Sequence, residues 1–216
     1  MISVKICGIT NESDLAQAVE AGADMVGFVV VETSPRFVDF DTAQALVRKA
    51  AELGAEPWVV ATLGVPWLDK LVDETPEIGA VQLHGKESPA QVASFVRRHQ
   101  LTPVIKAMGV ASRRDLADAE AFESADAFLF DAKPPKGADR EGGHGVAFDW
   151  SILKGFRVND HEDWTLSGGL TPENVAEAIA KSGAAAVDVS SGVEATPGVK
   201  DHAKVAAFIK AAKAAG

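Results

Sequence analysis

Groups able to accept or donate protons recur at regular distances in this 216-residue chain, each at or near the end of a short β-branched run. Cys7 closes "SVKIC", Gln82 and His84 close "GAVQLHG", and Lys106 lies in "PVIKAMG". Asp131 closes "DAFLFDA", Ser167, Gly168 and Gly169 close "WTLSGG", and Asp188, Ser190 and Ser191 close "AAVDVSS". Arg36 follows the second run in "SPR". A thiol, two carboxyls and an imidazole gathered at one edge are the makings of general acid–base catalysis. Side chains two apart on a strand share a face, so Lys5 accompanies Cys7, Gln82 accompanies His84, and Asp188 accompanies Ser190. With Cys7 facing inward, the Lys5 ammonium is expected to favour the thiolate and lower the thiol pKa.

Each residue also has a plainer reading. A lone cysteine is often a small buried hydrophobe, a terminal Asp often caps a turn, and an arginine after a proline is often a solvated loop residue. His84 beside Gly85 could be a satisfied turn histidine. Lys5 and Lys106 could simply pair with buried carboxylates. Their common edge separates the chemical reading from these.

The elements that must position them alternate along the whole chain. Strands are expected at 3–7, 25–30, 58–64, 79–85, 103–109, 126–132, 164–169 and 185–191, with helical patterns between. Ser88, Pro89 and Gln91 form a helix-start signal, and Thr171 with Pro172 repeats it. Leu15, Ala18 and Val19 form an apolar stripe stopped by Gly22, and Ala43, Leu46, Val47 and Ala50 form another. Eight consecutive βα units predict one α/β domain over 1–216, a (β/α)8 TIM barrel with outer helices, in preference to an open doubly wound sheet. The Pro- and Gly-rich segment from Lys133 to Val146 reads as a mobile active-site loop.

Composition narrows the class further. The chain is 47% hydrophobic and carries a formal charge of -10, a field that disfavours nucleic acid or an anionic membrane face. Its one cysteine can form no internal disulfide, and no leader or long apolar run is visible, so a soluble cytoplasmic protein is expected. A small anion remains possible where local donors converge. "SGGLTPENV" and "SSGVEATPG" put glycines after strands seven and eight, where barrels of this kind cradle phosphate, so a sugar phosphate is the favoured ligand.

Taken in order, "KICGIT", "GF" with "SPR", "VQLHG", "FD", "GGHG" before "FDW", "SGGLTPENV" and "DVSSGVEATPGVKD" span nearly the whole chain. This series resembles the phosphoribosylanthranilate isomerase family. The resemblance implies an Amadori rearrangement of N-(5-phosphoribosyl)anthranilate to the aminoketose, in tryptophan biosynthesis, with neither metal nor organic cofactor. It implies Cys7 as general base, Asp131 as general acid, Arg36 toward the anthranilate carboxylate and Asp188 toward substrate hydroxyl or amine groups. Gly168, Gly169, Ser191 and Gly192 would hold phosphate, while Gln82 and His84 match the mouth without a firm role. A monomer or homodimer is expected. Two positions depart from the family pattern: His144 stands where threonine is usual, and Glu32 and Thr33 stand where Pro-Lys is often found. Rival readings are the analogous histidine-pathway isomerase, a Schiff-base aldolase using Lys5 or Lys106, and a barrel that only binds sugar phosphates.

Overall fold

The computed structural model describes residues 1–133, 148–158 and 164–216. All eight β-branched runs form strands: β1 (Ser3–Cys7), β2 (Met25–Val29), β3 (Glu56–Ala61), β4 (Ala80–Leu83), β5 (Val104–Val110), β6 (Ala127–Ala132), β7 (Trp164–Leu166) and β8 (Ala186–Val189). Each pairs in parallel with the next, and β8 returns to β1 with Lys5 opposite Asp188, so the sheet closes into a barrel.

Several strands stop short of their expected ends. His84 and Ser167 each keep one ladder bond, from His84 N to Ala61 O and from Ser167 N to Phe130 O, both 2.8 Å. Beyond them the chain turns away from its neighbours, so Gly168, Gly169 and Ser190 to Gly192 lie in loops above the barrel.

The helices form where local chemistry favours them. Asn11 caps α1 (Glu12–Glu20), which buries Leu15 and Ala18 and gives way to Gly22 at φ +100°. Asp39 caps α2 (Phe40–Leu53), which buries Ala43, Leu46, Val47 and Ala50. A short α3 (Leu68–Glu74) follows β3, and α4 (Pro89–Arg98) begins with a Ser88–Gln91 capping box. The unit after β5 is reduced to α5 (Arg113–Ala117) and one 3₁₀ turn.

The expected outer ring is less regular after β6. Among the described residues that position holds only a 3₁₀ turn, Trp150–Leu153. The loop expected from Lys133 to Val146, including His144 and "GGHG", lies outside the described residues except for Lys133, which pairs with Asp115 at 2.7 Å. The regular part of α6 is Val175–Ser182. Its first turn begins earlier, since Val175 N reaches Thr171 O at 3.1 Å and Thr171 N reaches Asn174 Oδ1 at 2.8 Å.

A small hairpin, β9 (Glu194–Thr196) with β10 (Val199–Lys200), intervenes between β8 and α7 (His202–Lys213) and was not expected. Buried Asp14 on α1 ties it down, accepting from Lys200 N at 3.0 Å and lying 2.8 Å from His202 Nε2.

The apolar side chains form two cores. One lies between strands and helices, and the other fills the lower lumen with Met25, Trp58, Ala80, Ile105, Ala107 and Leu129. That plug is the floor on which the polar upper lumen rests. Among the described residues, no helix is long and apolar enough to cross a membrane.

Candidate active site

The alternation of β1 places Lys5 directly above the apolar floor and Cys7 one layer higher. Lys5 is fully buried, with its ammonium 5.0 Å from the Trp58 ring centre. It donates to Asp188 Oδ1 at 3.0 Å and to Gln82 Oε1 at 2.9 Å. Asp188 receives a second bond from Ser167 Oγ at 3.0 Å. Burial pulls the Lys5 pKa down, but Asp188 and then Cys7 outweigh it and hold the ammonium above its ordinary 10.5.

Cys7 has the position that was expected and the opposite titration. Burial pushes the thiol above its ordinary 9.0; Lys5 pulls it down, Asp188 pushes it back up, and Lys200 pulls it down again. Lys5 lowers the thiol pKa as expected, but the loss of water around the buried sulfur outweighs it and Asp188 adds to the rise. Gly27 on β2 makes the room: a Cβ there would lie 2.8 Å from Cys7 Sγ and 3.2 Å from Lys5 Cε.

Across the lumen, Asp131 is 7% exposed, and its Oδ1 accepts from Ala132 N at 2.7 Å. Burial, followed by the charge of Asp188, raises its carboxyl from 3.8 to about 7. His84 sits beside it, with Nε2 3.5 Å from Asp131 Oδ2. Its Nδ1 is 3.1 Å from Gln82 Nε2. Burial, then Lys106, lowers the His84 imidazole to about 4. The expected companionship of Gln82 and His84 is therefore a direct contact.

Arg36 is no solvated loop residue. It is 7% exposed and forks onto Glu194, with Nε to Oε1 at 2.7 Å and Nη2 to Oε2 at 2.8 Å. Lys200 joins the same carboxylate at 3.1 Å and also donates to Ser190 O at 3.2 Å. Glu194 and Lys200 were missed as site residues, although both lie inside "DVSSGVEATPGVKD". Gly8 lets the arginine side chain pass beside the thiol: its φ is +75°, and a Cβ would meet Arg36 Cγ at 3.2 Å and Ser190 Oγ at 2.9 Å.

Lys106 points the other way. Its neighbours Ile105 and Ala107 face the lumen, so Lys106 faces outward and donates to Leu83 O, Gly85 O and Glu87 Oε2 at 3.2, 2.8 and 2.8 Å. Three donors meet three acceptors, which leaves no nucleophilic amine.

The glycine loops meet above β7 and β8. Gly168 and Gly169 have φ of +89° and +65°, and among the described residues no backbone hydrogen bond uses their N–H groups. A Cβ on Gly168 would lie 2.8 Å from Asp131 Oδ1, and one on Gly192 would collide with the Leu170 carbonyl. Ser191–Val193 forms a single 3₁₀ turn. Among the described residues, no group of three or more His, Cys, Asp or Glu is placed to hold a metal ion.

The family model of N-(5'-phosphoribosyl)anthranilate isomerase matches residues 4–211. The chain belongs to the phosphoribosylanthranilate isomerase family. Among members of this family, that of Rhodospirillum rubrum is 48% identical over 217 residues, covering 97% of each chain. The solved phosphoribosylanthranilate isomerase of Thermotoga maritima is 40% identical with a TM-score of 0.86, covering 99% of this chain and 100% of that one. A further solved member, 37% identical with a TM-score of 0.82 and the same coverage, holds reduced 1-(o-carboxyphenylamino)-1-deoxyribulose 5-phosphate. Membership of the phosphoribosylanthranilate isomerase family displaces the histidine-pathway reading. The engaged lysines remove the aldolase.

Proposed function

We propose that the chain, as one domain and with neither metal nor organic cofactor, rearranges N-(5-phosphoribosyl)anthranilate to 1-(o-carboxyphenylamino)-1-deoxyribulose 5-phosphate in tryptophan biosynthesis. Asp131 is the general acid and Cys7 the general base. The observation that carries these roles is a buried carboxyl whose pKa is raised to about 7, at the end of β6, three strands round the same barrel mouth from the thiol that ends β1.

Asp131 gives its proton to the ring oxygen as the C1–O bond breaks, and the anthranilate nitrogen takes up the developing charge as an iminium. That iminium acidifies C2–H, and the Cys7 thiolate removes the proton to leave an enolamine. Proton gain at C1 and loss from the C2 hydroxyl complete the aminoketose and return both groups to their starting states. A high thiol pKa makes the thiolate scarce but strongly basic, so the raised value is compatible with the role.

The remaining residues bind. Gly168, Gly169, Ser191 and Gly192 present N–H groups to phosphate. Asp188 faces substrate hydroxyl or amine groups, and Gln82 and His84 line the mouth. Arg36 has donors left over from its fork to Glu194, and these meet the anthranilate carboxylate. We place the protein in the cytoplasm as a monomer or homodimer; the Thermotoga maritima relative is described as dimeric.

The test follows aminoketose formation from phosphoribosylanthranilate with the purified chain and its Cys7→Ser variant. The chain turns over, and the variant loses roughly 10²-fold or more in kcat. Near-normal kcat in the variant refutes the base, and no turnover by the unaltered chain refutes the reaction.

A further inference from the structure

Gln82 bridges the two halves of the site, and its orientation is forced. An ammonium has donors and no acceptor, so only the carbonyl end of the amide can face Lys5 Nζ, at 2.9 Å. The NH₂ end is left for His84, at 3.1 Å from Nδ1. Because an NH₂ group only donates, Nδ1 must be the bare nitrogen of the ring. Burial and then Lys106 keep His84 neutral, with Lys5 acting in the same sense and Asp188 and Glu87 opposing. A neutral ring carries one proton, and that proton is then on Nε2. Nε2 is the nitrogen 3.5 Å from Asp131 Oδ2.

We infer that Gln82 is a positioning residue that holds His84 as its Nε2–H tautomer, so that His84 donates to Asp131 as that carboxyl gives its proton away. The inference rests on Asp131 being the general acid. In the resting site the separation exceeds an ordinary N–H···O bond, and the protonated acid offers only a weak acceptor. Once the proton leaves, the carboxylate becomes a strong acceptor and the contact can close to about 2.8 Å. An interaction that strengthens along the reaction lowers the barrier, whereas one equally strong throughout does not. The other tautomer would do harm. A bare Nε2 would accept a hydrogen bond from the Asp131 carboxyl and hold its proton away from the ring oxygen.

The orientation is anchored far from the mouth. Lys5 is held by Asp188 at 3.0 Å and rests on Trp58, so the direction of an amide and of an imidazole proton is set from the barrel floor.

Long-range ¹H–¹⁵N correlation on histidine-labelled protein at neutral pH reads the tautomer directly, without substrate. The expected result is Nε2–H for His84; a bare Nε2, or an even mixture, overturns the inference. In Gln82→Glu the carboxylate beside Lys5 offers His84 only acceptor oxygens, so the proton moves to Nδ1 and kcat falls about tenfold or more. The loss falls more on kcat than on KM, because the tautomer acts on the proton transfer itself. A variant that retains the Nε2 proton, or keeps its kcat, overturns the role of Gln82. If that variant does not fold, the unaltered protein's spectrum still decides the tautomer. His84→Gln, which keeps a side-chain NH₂, should then retain more kcat than His84→Leu, and equal loss in both counts against the donor. Asp131→Asn separates the two levels: normal kcat there sinks the acid assignment and leaves the tautomer result standing.

Discussion

Asp188 and Asp131 lie close enough across the barrel mouth for the charge of the first to raise the pKa of the second. Asp188 has two side-chain donors on its oxygens, Lys5 Nζ and Ser167 Oγ. Asp131 has the Ala132 N–H and a histidine held at 3.5 Å. Unequal surroundings make one carboxyl a fixed charge and the other a proton donor, the division of labour that acid–base sites need.

Asp188→Asn removes that charge, so the Asp131 pKa should fall below that of the unaltered protein, read by ¹³C NMR of the Asp131 carboxyl. Lys5 also loses its buried partner, at a cost of about 3 kcal/mol or more in denaturant unfolding. An unmoved Asp131 titration would separate the two carboxyls.

Asp131 itself sets a pH dependence of stability. Its folded pKa, about 7, lies above its ordinary 3.8, so the folded state binds the extra proton between those values and stability declines as pH rises through them. The shift corresponds to on the order of 4 kcal/mol at pH 8. Asp131→Asn should therefore be inactive, and its stability relative to the unaltered protein should improve steadily from pH 4 to pH 8. Parallel stability curves for the two proteins would contradict the raised pKa.

The rate profile has the same origin. The reactive form needs Asp131 protonated and Cys7 ionised, although Asp131 loses its proton first. The profile of kcat/KM should be a bell with its acidic limb near 7 and its alkaline limb above 9. A single alkaline limb near 7 would mean that the thiol is ionised at neutrality.

Gly27→Ala puts a methyl 2.8 Å from Cys7 Sγ, and the sulfur must yield. A misplacement of that order costs roughly 10²-fold in rate. Steady-state assay should show kcat falling far more than KM changes. An unaffected kcat would show that the sulfur has space to spare.

Glu194→Gln leaves Arg36 and Lys200 without their shared carboxylate. Two freed cations near Cys7 should lower its pKa, read as faster iodoacetamide alkylation at pH 8; only one cysteine exists to report. KM should rise as Arg36 loses its anchor. Unchanged alkylation would place the triad out of range of the thiol.

The barrel and the two reacting groups were legible because strand ends announce themselves locally: a β-branched run, a polar residue, a glycine. Pairings across the fold were not. Arg36 and Glu194 are separated by 158 positions, and no local pattern joins them. The direction of Lys106 was hidden because a strand buried on both faces shows no alternation to read. The sign of the Cys7 shift depended first on how deeply the folded chain buries the sulfur, with Lys5 pulling it down and Asp188 pushing it up, and neither depth nor contact is written in residue order. The outer helix expected after β6 was drawn from the regularity of the other units, and among the described residues that connection holds only the 3₁₀ turn Trp150–Leu153.

Lys5 belongs to the first strand of the barrel and Asp188 to the eighth, 183 residues later. Until the eighth strand is in place, Lys5 has no Asp188 to donate to, and Asp131 lacks the charge that adds to burial in raising its pKa. Closure of the barrel and neutralisation of its central cation are thus one event, because the strand that seals the sheet is the strand that brings the carboxylate.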